Sequence, residues 1–337
     1  MVTSNADDTL PFVSVLVPMR NEQRRIARCL DSILQTDYSK QKMEILVIDG
    51  LSTDGSGRIV ESYCRRYSFI HLLDNPRQMQ AAALNLGLGR AKGRIIIRMD
   101  AHTVYAPDYI RQCVLALETT GAASVGGRQR AIGSGYLGNA IGAAFSSAFA
   151  AGDAKYRYSQ VEQWVDTVYL GAWRTQTLRD IGGFNEEWAV NEDYELNYRL
   201  RRNGGRILLS PKINCCYYVR GSLSDLARQY LRYGFWKVKT VAAHPRSLRW
   251  RQLACPAFVA ALAFSVALIP LRPMYAAIVP AAYVLANLTA SFWAAARRGF
   301  WLLPLLPLIF AIMHISWGAG FWAGVVALGL RQLRPRP

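Results

Sequence analysis

Three groups of acidic residues are placed where they could do chemistry. Asp100 and His102 close the run Ile95-Ile96-Ile97-Arg98-Met99 as Asp-Ala-His. Alternate residues of an extended chain share a face. The pair therefore offers a hard oxygen and an imidazole to a divalent ion that neutralises a diphosphate. A cap or a turn is the plainer role for the same two residues. Asp49 ends a second apolar run and is followed by Gly50-Leu51-Ser52-Thr53-Asp54-Gly55. A carboxylate there can accept hydrogen bonds from a nucleobase imide or a ribose hydroxyl; equally, Asp49 and Asp54 can shape the turn alone. Glu192 and Asp193 precede a helical stretch, where a helix N-terminus favours acids. One of them could instead take the proton from an attacking hydroxyl, a contribution of about 10²–10⁴-fold in rate.

Smaller signals accompany these. Gly171-Ala172-Trp173-Arg174 and Gly182-Gly183-Phe184-Asn185-Glu186 carry glycines that let the backbone turn close to a ligand. Gln229 and Arg232, in Gln-Tyr-Leu-Arg-Tyr, fall on one helical face. Arg232 can pair with a diphosphate or serve as a membrane-surface charge.

The elements that must position these residues read as alternating strands and helices. Strands are expected at 12–17, 44–48, 69–73 and 94–99, and helices at 25–35, 58–67 and 78–91. Such alternation implies an α/β fold with a mainly parallel sheet. Ligands of such sheets lie outside the carboxyl ends of the strands. Asp49, Asp100 and the trio Arg20, Asn21 and Glu22 all fall at such ends.

Composition changes sharply near residue 252. Before it, apolar runs are short and broken by charges; from Leu253 to Leu330 the only Lys, Arg, Asp or Glu residues are Arg272, Arg297 and Arg298. The stretches 253–271 and 274–296 are each long enough to cross about 30 Å of hydrocarbon. The stretch 300–330, with Pro304 and Pro307, reads either as one tilted helix or as a re-entrant piece plus a span. Gly318, Gly320, Gly324 and Gly329 suit close helix packing in a membrane. The expected organisation is a catalytic domain at 1–219, basic juxtamembrane helices at 220–252, transmembrane helices at 253–330, and a basic tail at 331–337.

The 337-residue chain carries a net charge of +17. Residues 220–251 hold eight Lys or Arg against the single acid Asp225, a block suited to anionic headgroups. Its position beside an apolar span accounts for the charge without nucleic acid. The N-terminal stretch has neither a basic nor an apolar signal region, and the six cysteines show no metal-ligand spacing. Both favour a catalytic domain on the cytoplasmic side of an inner (plasma) membrane, in a multi-pass protein. Three crossings would put Arg331, Arg334 and Arg336 on the far side, against the positive-inside rule; an even number would not.

The stretches VSVLVPMRNE, EILVIDGLSTDGS, NLGLGRAKGRIIIRMDAH, GGFNE, NEDYELNYRLRRNGG and QYLRY follow one another from Phe12 to Tyr233. In that order they resemble the family 2 glycosyltransferases with the GT-A fold, a Rossmann-like arrangement. The MDAH and IDGLSTDG variants look closest to the branch that builds succinoglycan-like exopolysaccharides. By position, the resemblance implies that Pro18, Arg20, Asn21, Glu22 and Asp49, with Ser52, Asp54, Gln78, Asn85 and Asp100, hold a nucleotide sugar. Asp100 and His102 stand at the D-x-D motif, implying Mg²⁺ or Mn²⁺. Asp193 stands at the catalytic base, with Glu192 beside it. Gly171, Trp173, Gln229, Arg232 and Tyr233 are implied on the acceptor and diphosphate side.

The expected reaction is inverting transfer from a UDP-sugar, most simply UDP-glucose, to a polyprenyl-diphosphate-linked saccharide. A polyprenyl monophosphate acceptor and an inactive membrane scaffold are the alternatives. Three departures from the family pattern bear on these expectations. Gly50 replaces a frequent second Asp, His102 replaces the last Asp of D-x-D, and Tyr233 replaces Trp, which argues against a processive polymer synthase.

Overall fold

The computed structural model describes residues 10–332. Arg334 and Arg336 of the expected basic tail, and most of the N-terminal stretch, lie outside the described residues. The first half runs β1 (Val13–Met19), α1 (Ile26–Leu34), β2 (Met43–Asp49), α2 (Ser56–Arg66), β3 (Ile70–Asp74), α3 (Gln80–Arg90), β4 (Ile95–Arg98), β5 (Thr103–Tyr105), α4 (Tyr109–Thr120) and β6 (Ser124–Ile132). It continues through α5 (Gly135–Phe145), α6 (Ala148–Ala151), β7 (Gln163–Val165), β8 (Tyr169–Arg174), α7 (Thr175–Asp180), α8 (Glu192–Arg202) and β9 (Ile207–Tyr218). The remaining helices are α9 (Leu223–Ala243), α10 (Ala254–Leu268), α11 (Pro273–Ala276), α12 (Ile278–Arg298) and α13 (Leu306–Gln332).

The nine strands form one sheet in the order β3-β2-β1-β4-β8-β6-β9-β5, with β7 on β9. β3, β2, β1 and β4 are parallel, as their helical crossovers require. Beyond β4 the pairings of β8 with β4 and β6, and of β9 with β5 and β7, are antiparallel. The sheet is therefore mixed: the expected parallel half is joined to an antiparallel half.

The central strands are buried throughout because both faces are covered. Val13, Val15, Val17, Ile45, Val47, Ile95 and Ile97 pack into one core with residues of α1, α2 and α4. Leu16, Leu46, Ile48 and Ile96 pack on the opposite face with residues of α3 and α8. The period-2 alternation of strand side chains accounts for this division, and each such side chain contributes roughly 1.5–3 kcal/mol on burial.

Two compact units are present. Among the described residues, one comprises 10–130 and 158–217, and the other 131–157 and 218–332. The stretch 131–157, expected within the catalytic domain, thus groups with the C-terminal helices instead. Helix α5, with the apolar sequence GYLGNAIGAAF, packs there against α12 and α13.

Within the second unit three helices are long and apolar enough to cross a membrane: Trp250–Leu268, Pro273–Arg298 and Leu306–Gly329. The stretch beginning at Phe300 resolves into a short 3₁₀ turn, Phe300–Leu302, and one uninterrupted helix, α13. Helix α9 buries Leu226, Tyr230, Gly234 and Val238 along one side and packs against α13. The approach is close because both surfaces carry glycine. A Cβ on Gly234 would lie 2.0 Å from the Trp317 carbonyl oxygen, and one on Gly320 would lie 2.1 Å from that of Leu231.

Candidate active site

The register of the parallel strands sets up the site. β1 pairs with β2 as far as Met19 opposite Asp49, but with β4 only as far as Leu16 opposite Arg98. Pro18, which has no N–H to donate, lies buried just past the point where the β4 ladder stops. It marks that opening and is itself part of the strand. Around the opening stand the residues that follow β1, β2 and β4.

Loops 20–23 and 52–56 are stitched to one another. Asn21, at φ 56°, donates its N–H to Ser52 Oγ at 2.8 Å and accepts from the Thr53 N–H at 2.8 Å. Asn and Asp tolerate this left-handed conformation better than most residues. The Glu22 N–H bonds Ser56 Oγ, and the Gln23 N–H bonds Asp54 Oδ2. Asp54 also accepts from the Ser56 N–H at the start of α2, so it works as a turn builder. Asp49 is buried and accepts from the Ser52 N–H and Oγ. At Gly50, a Cβ would meet the Arg20 stem at 3.4 Å. Arg20 itself is exposed, and Gln78 is an exposed residue at φ 57° before α3.

The centre of the site is a side chain that motif reading passed over. Arg98, the last residue of β4, is 5% exposed. Its Nε donates to Asp100 Oδ1 at 2.9 Å, and its Nη1 donates to Glu192 Oε1 at 3.0 Å. Gln80, at the start of α3, also approaches Asp100 Oδ1, at 3.4 Å. Asp193 follows Glu192 in the first turn of α8, which begins after Asn191 at φ 68°. Burial drives the Glu192 carboxyl up to about 7; the Arg98 cation opposes this, and the charges of Asp193 and Asp100 add to it. Burial raises Asp193 as well, with Arg98 again opposing. Arg98 is held firmly charged: its burial is outweighed by Asp100, Glu192 and Asp193. The signal in the sequence was an arginine inside an otherwise apolar strand, Ile-Ile-Ile-Arg-Met.

His102 lies against Glu22 and Tyr217. Its Nδ1 lies 3.6 Å from Glu22 Oε1, and its ring meets Tyr217 edge-on at 5.7 Å. Burial would raise the Glu22 carboxyl, but His102 and Arg25 outweigh it and hold the group below its ordinary value. Among the described residues no cluster of three or more His, Cys, Asp or Glu could hold a metal. Mg²⁺ at phosphoryl sites usually takes one or two carboxylates and completes its shell with substrate phosphate and water. Three buried or half-buried carboxyls around a single guanidinium leave the excess negative charge that a divalent ion balances. The Asp100 carboxylate is a donor of that kind, so the site fits a metal that arrives with a diphosphate.

Other expected residues have different employment. Trp173 is 1% exposed and packs perpendicular to Phe184 at 5.8 Å. The alternation along β8 turns it into the hydrophobic core, which corrects its expected place beside an acceptor. Gly171, at φ 101°, lets the backbone pass beneath that indole, since a Cβ would come within 2.5 Å of the ring. Asn85 is likewise a brace: its amide bonds both the N–H and the carbonyl of Phe184 at 2.8 Å, and Glu186 Oε1. Two further residues went unread in the sequence. Glu195 pairs with Arg199, which donates to the carbonyls of Ile181 and Gly183 and so holds the Gly182-Gly183 turn. In the second unit, Gln229 Nε2 bonds Tyr233 Oη at 2.8 Å along α9, and Arg232 is exposed.

A mixed sheet whose parallel strand ends carry a polar rim and a carboxylate pair on a following helix is the arrangement of a GT-A-type glycosyltransferase. The family profile "Glycosyl transferase family 2" matches residues 14–174, and "Glycosyl transferase family group 2" matches residues 95–328. The chain belongs to glycosyl transferase family 2. It is similar to the succinoglycan biosynthesis protein ExoA of Rhizobium meliloti (strain 1021), with 31% identity over 91% of this chain and 93% of that protein. A Methanococcus voltae dolichyl N-acetyl-alpha-D-glucosaminyl phosphate 3-beta-D-2,3-diacetamido-2,3-dideoxy-beta-D-glucuronosyltransferase is 26% identical over 66% of this chain and 72% of its own length. Among solved structures, the mannosyltransferase PcManGT from Pyrobaculum calidifontis, in complex with GDP-Man and Mn²⁺, matches with a TM-score of 0.62. It is 22% identical and covers 95% of this chain and 88% of that one.

Proposed function

We propose that this glycosyltransferase moves glucose, with inversion, from UDP-glucose to a polyprenyl-diphosphate-linked saccharide in exopolysaccharide biosynthesis. The reaction takes place at the cytoplasmic face of the inner membrane. The observation that carries the reading is the buried Arg98 tie, which draws Glu192, beside the proposed base, to the Asp100 that ends β4. The similarity to the succinoglycan protein supports the pathway class, and three apolar helices support a lipid-borne acceptor.

In this reading Asp193 takes the acceptor hydroxyl proton as its oxygen attacks the anomeric carbon from the face opposite the nucleotide. Burial and the nearby charge of Asp100 keep the Asp193 carboxyl basic, while Arg98, which holds Glu192, opposes them. Asp49 and the stitched loops at 20–23 and 52–56 receive the nucleoside. A divalent ion held by Asp100 and His102 would supply charge neutralisation to the departing diphosphate.

The test is Asp193→Asn. Transfer measured by product mass falls about 10²–10⁴-fold, as expected for loss of a general base, while UDP affinity by calorimetry stays nearly unchanged. Joint loss of both would make the carboxylate structural. A mild effect would instead favour a polyprenyl monophosphate acceptor, which is already ionised and needs no base. For Asp100→Ala, metal-dependent UDP binding weakens; turnover of the wild type that persists in chelator would contradict the metal assignment.

A further inference from the structure

One buried charge in the second unit has no counterion among the described residues. Arg157 closes the 3₁₀ turn Lys155–Arg157 and is 9% exposed. Its guanidinium lies 3.8 Å over the Phe145 ring, and its Nη1 donates to Tyr230 Oη at 3.0 Å. Nε is buried without any acceptor. Among the described residues no carboxylate pairs with it, and the nearest acid in the chain, Asp153, is taken by Arg251 at 3.4 Å.

A guanidinium cannot shed its proton to escape burial. A desolvated, unpaired charge is costly, and buried charges are accordingly paired. The missing partner of Arg157 is an anion from outside the chain. Tyr230, which accepts from that guanidinium, sits on α9 between Gln229 and Tyr233. The buried side of α9 lies along α13, a helix apolar enough to cross a membrane. An anion reaching this spot with a hydrocarbon tail beside α13 is the phosphate end of a lipid, and a planar fork of N–H donors suits phosphate oxygens.

We propose that Arg157, which lies outside every motif singled out above, binds the phosphate or diphosphate of a lipid-linked substrate in the second unit. This deepens the function proposed above and rests on its lipid-linked acceptor.

The test titrates the full-length protein in detergent with farnesyl diphosphate, farnesol and inorganic diphosphate. Farnesyl diphosphate binds the wild type and raises its thermal midpoint, farnesol does neither, and inorganic diphosphate binds more weakly. Arg157→Gln weakens farnesyl diphosphate at least about 30-fold, as expected for one partner of a buried charge pair; Arg157→Lys, which keeps the charge, lies between. UDP affinity of both variants stays at the wild-type value, reporting a folded first unit and separating this outcome from failure of the transferase reading. Unchanged farnesyl diphosphate affinity in Arg157→Gln overturns the proposal, as does a wild type indifferent to the probe. Inorganic diphosphate binding as tightly as its farnesyl ester overturns the lipid assignment.

Discussion

A buried guanidinium with three carboxyls around it ties the titration of the site to one strand-end residue. The carboxyls of Glu192 and Asp193 are both raised by burial, so the pair retains a proton where ordinary carboxylates have lost theirs. A general base works only when deprotonated. Activity therefore falls as pH drops through about 7, where the Glu192 carboxyl titrates, and the limb belongs to the pair jointly. A profile of kcat/KM against pH checks this; a limb near 4 would refute it. Arg98→Gln removes the cation that favours the ionised forms, so the limb moves to higher pH. The same change leaves buried carboxyls unpaired, a destabilisation of about 3–5 kcal/mol, read as a lowered thermal midpoint.

At the scale of elements, the glycines between α9 and α13 decide how closely the helices approach. Replacing Gly234 with leucine puts a side chain where the Trp317 carbonyl lies, and helix separation in detergent follows at lower temperature than in the wild type. The first strands and helices were legible in the sequence because β-branched runs and helical spacing are local signals: β1, β2, β3 and β4 fall within two residues of expectation at each end. The antiparallel half was not legible, since pairing between β4, β8 and β6 depends on residues far apart in the chain. The same holds within the site. Asp49, Asp100 and Asp193 stand in recognisable strings, whereas Arg98 acquires its role only when Glu192, 94 residues away, is packed against it. Trp173 misled for a related reason: its place in the motif order implied the acceptor side, and only the strand's facing shows that it is turned into the core.

At the scale of the molecule, the basic block and the apolar helices act together. With a net charge of +17, the chain should sediment with membranes and resist alkaline carbonate extraction. Release by carbonate would show that the three apolar helices do not span. The chain also enters the second unit at Ala131, leaves it after Arg157 and rejoins it at Tyr218. Helix α5 therefore leaves the ribosome about 160 residues before α13, its packing partner. At a synthesis rate of about 5–20 residues per second, roughly ten to thirty seconds pass before both α12 and α13 can cover its apolar side. A nascent chain halted in that interval displays an unmatched hydrophobic helix, a mark by which cellular proteolysis can recognise unfinished copies.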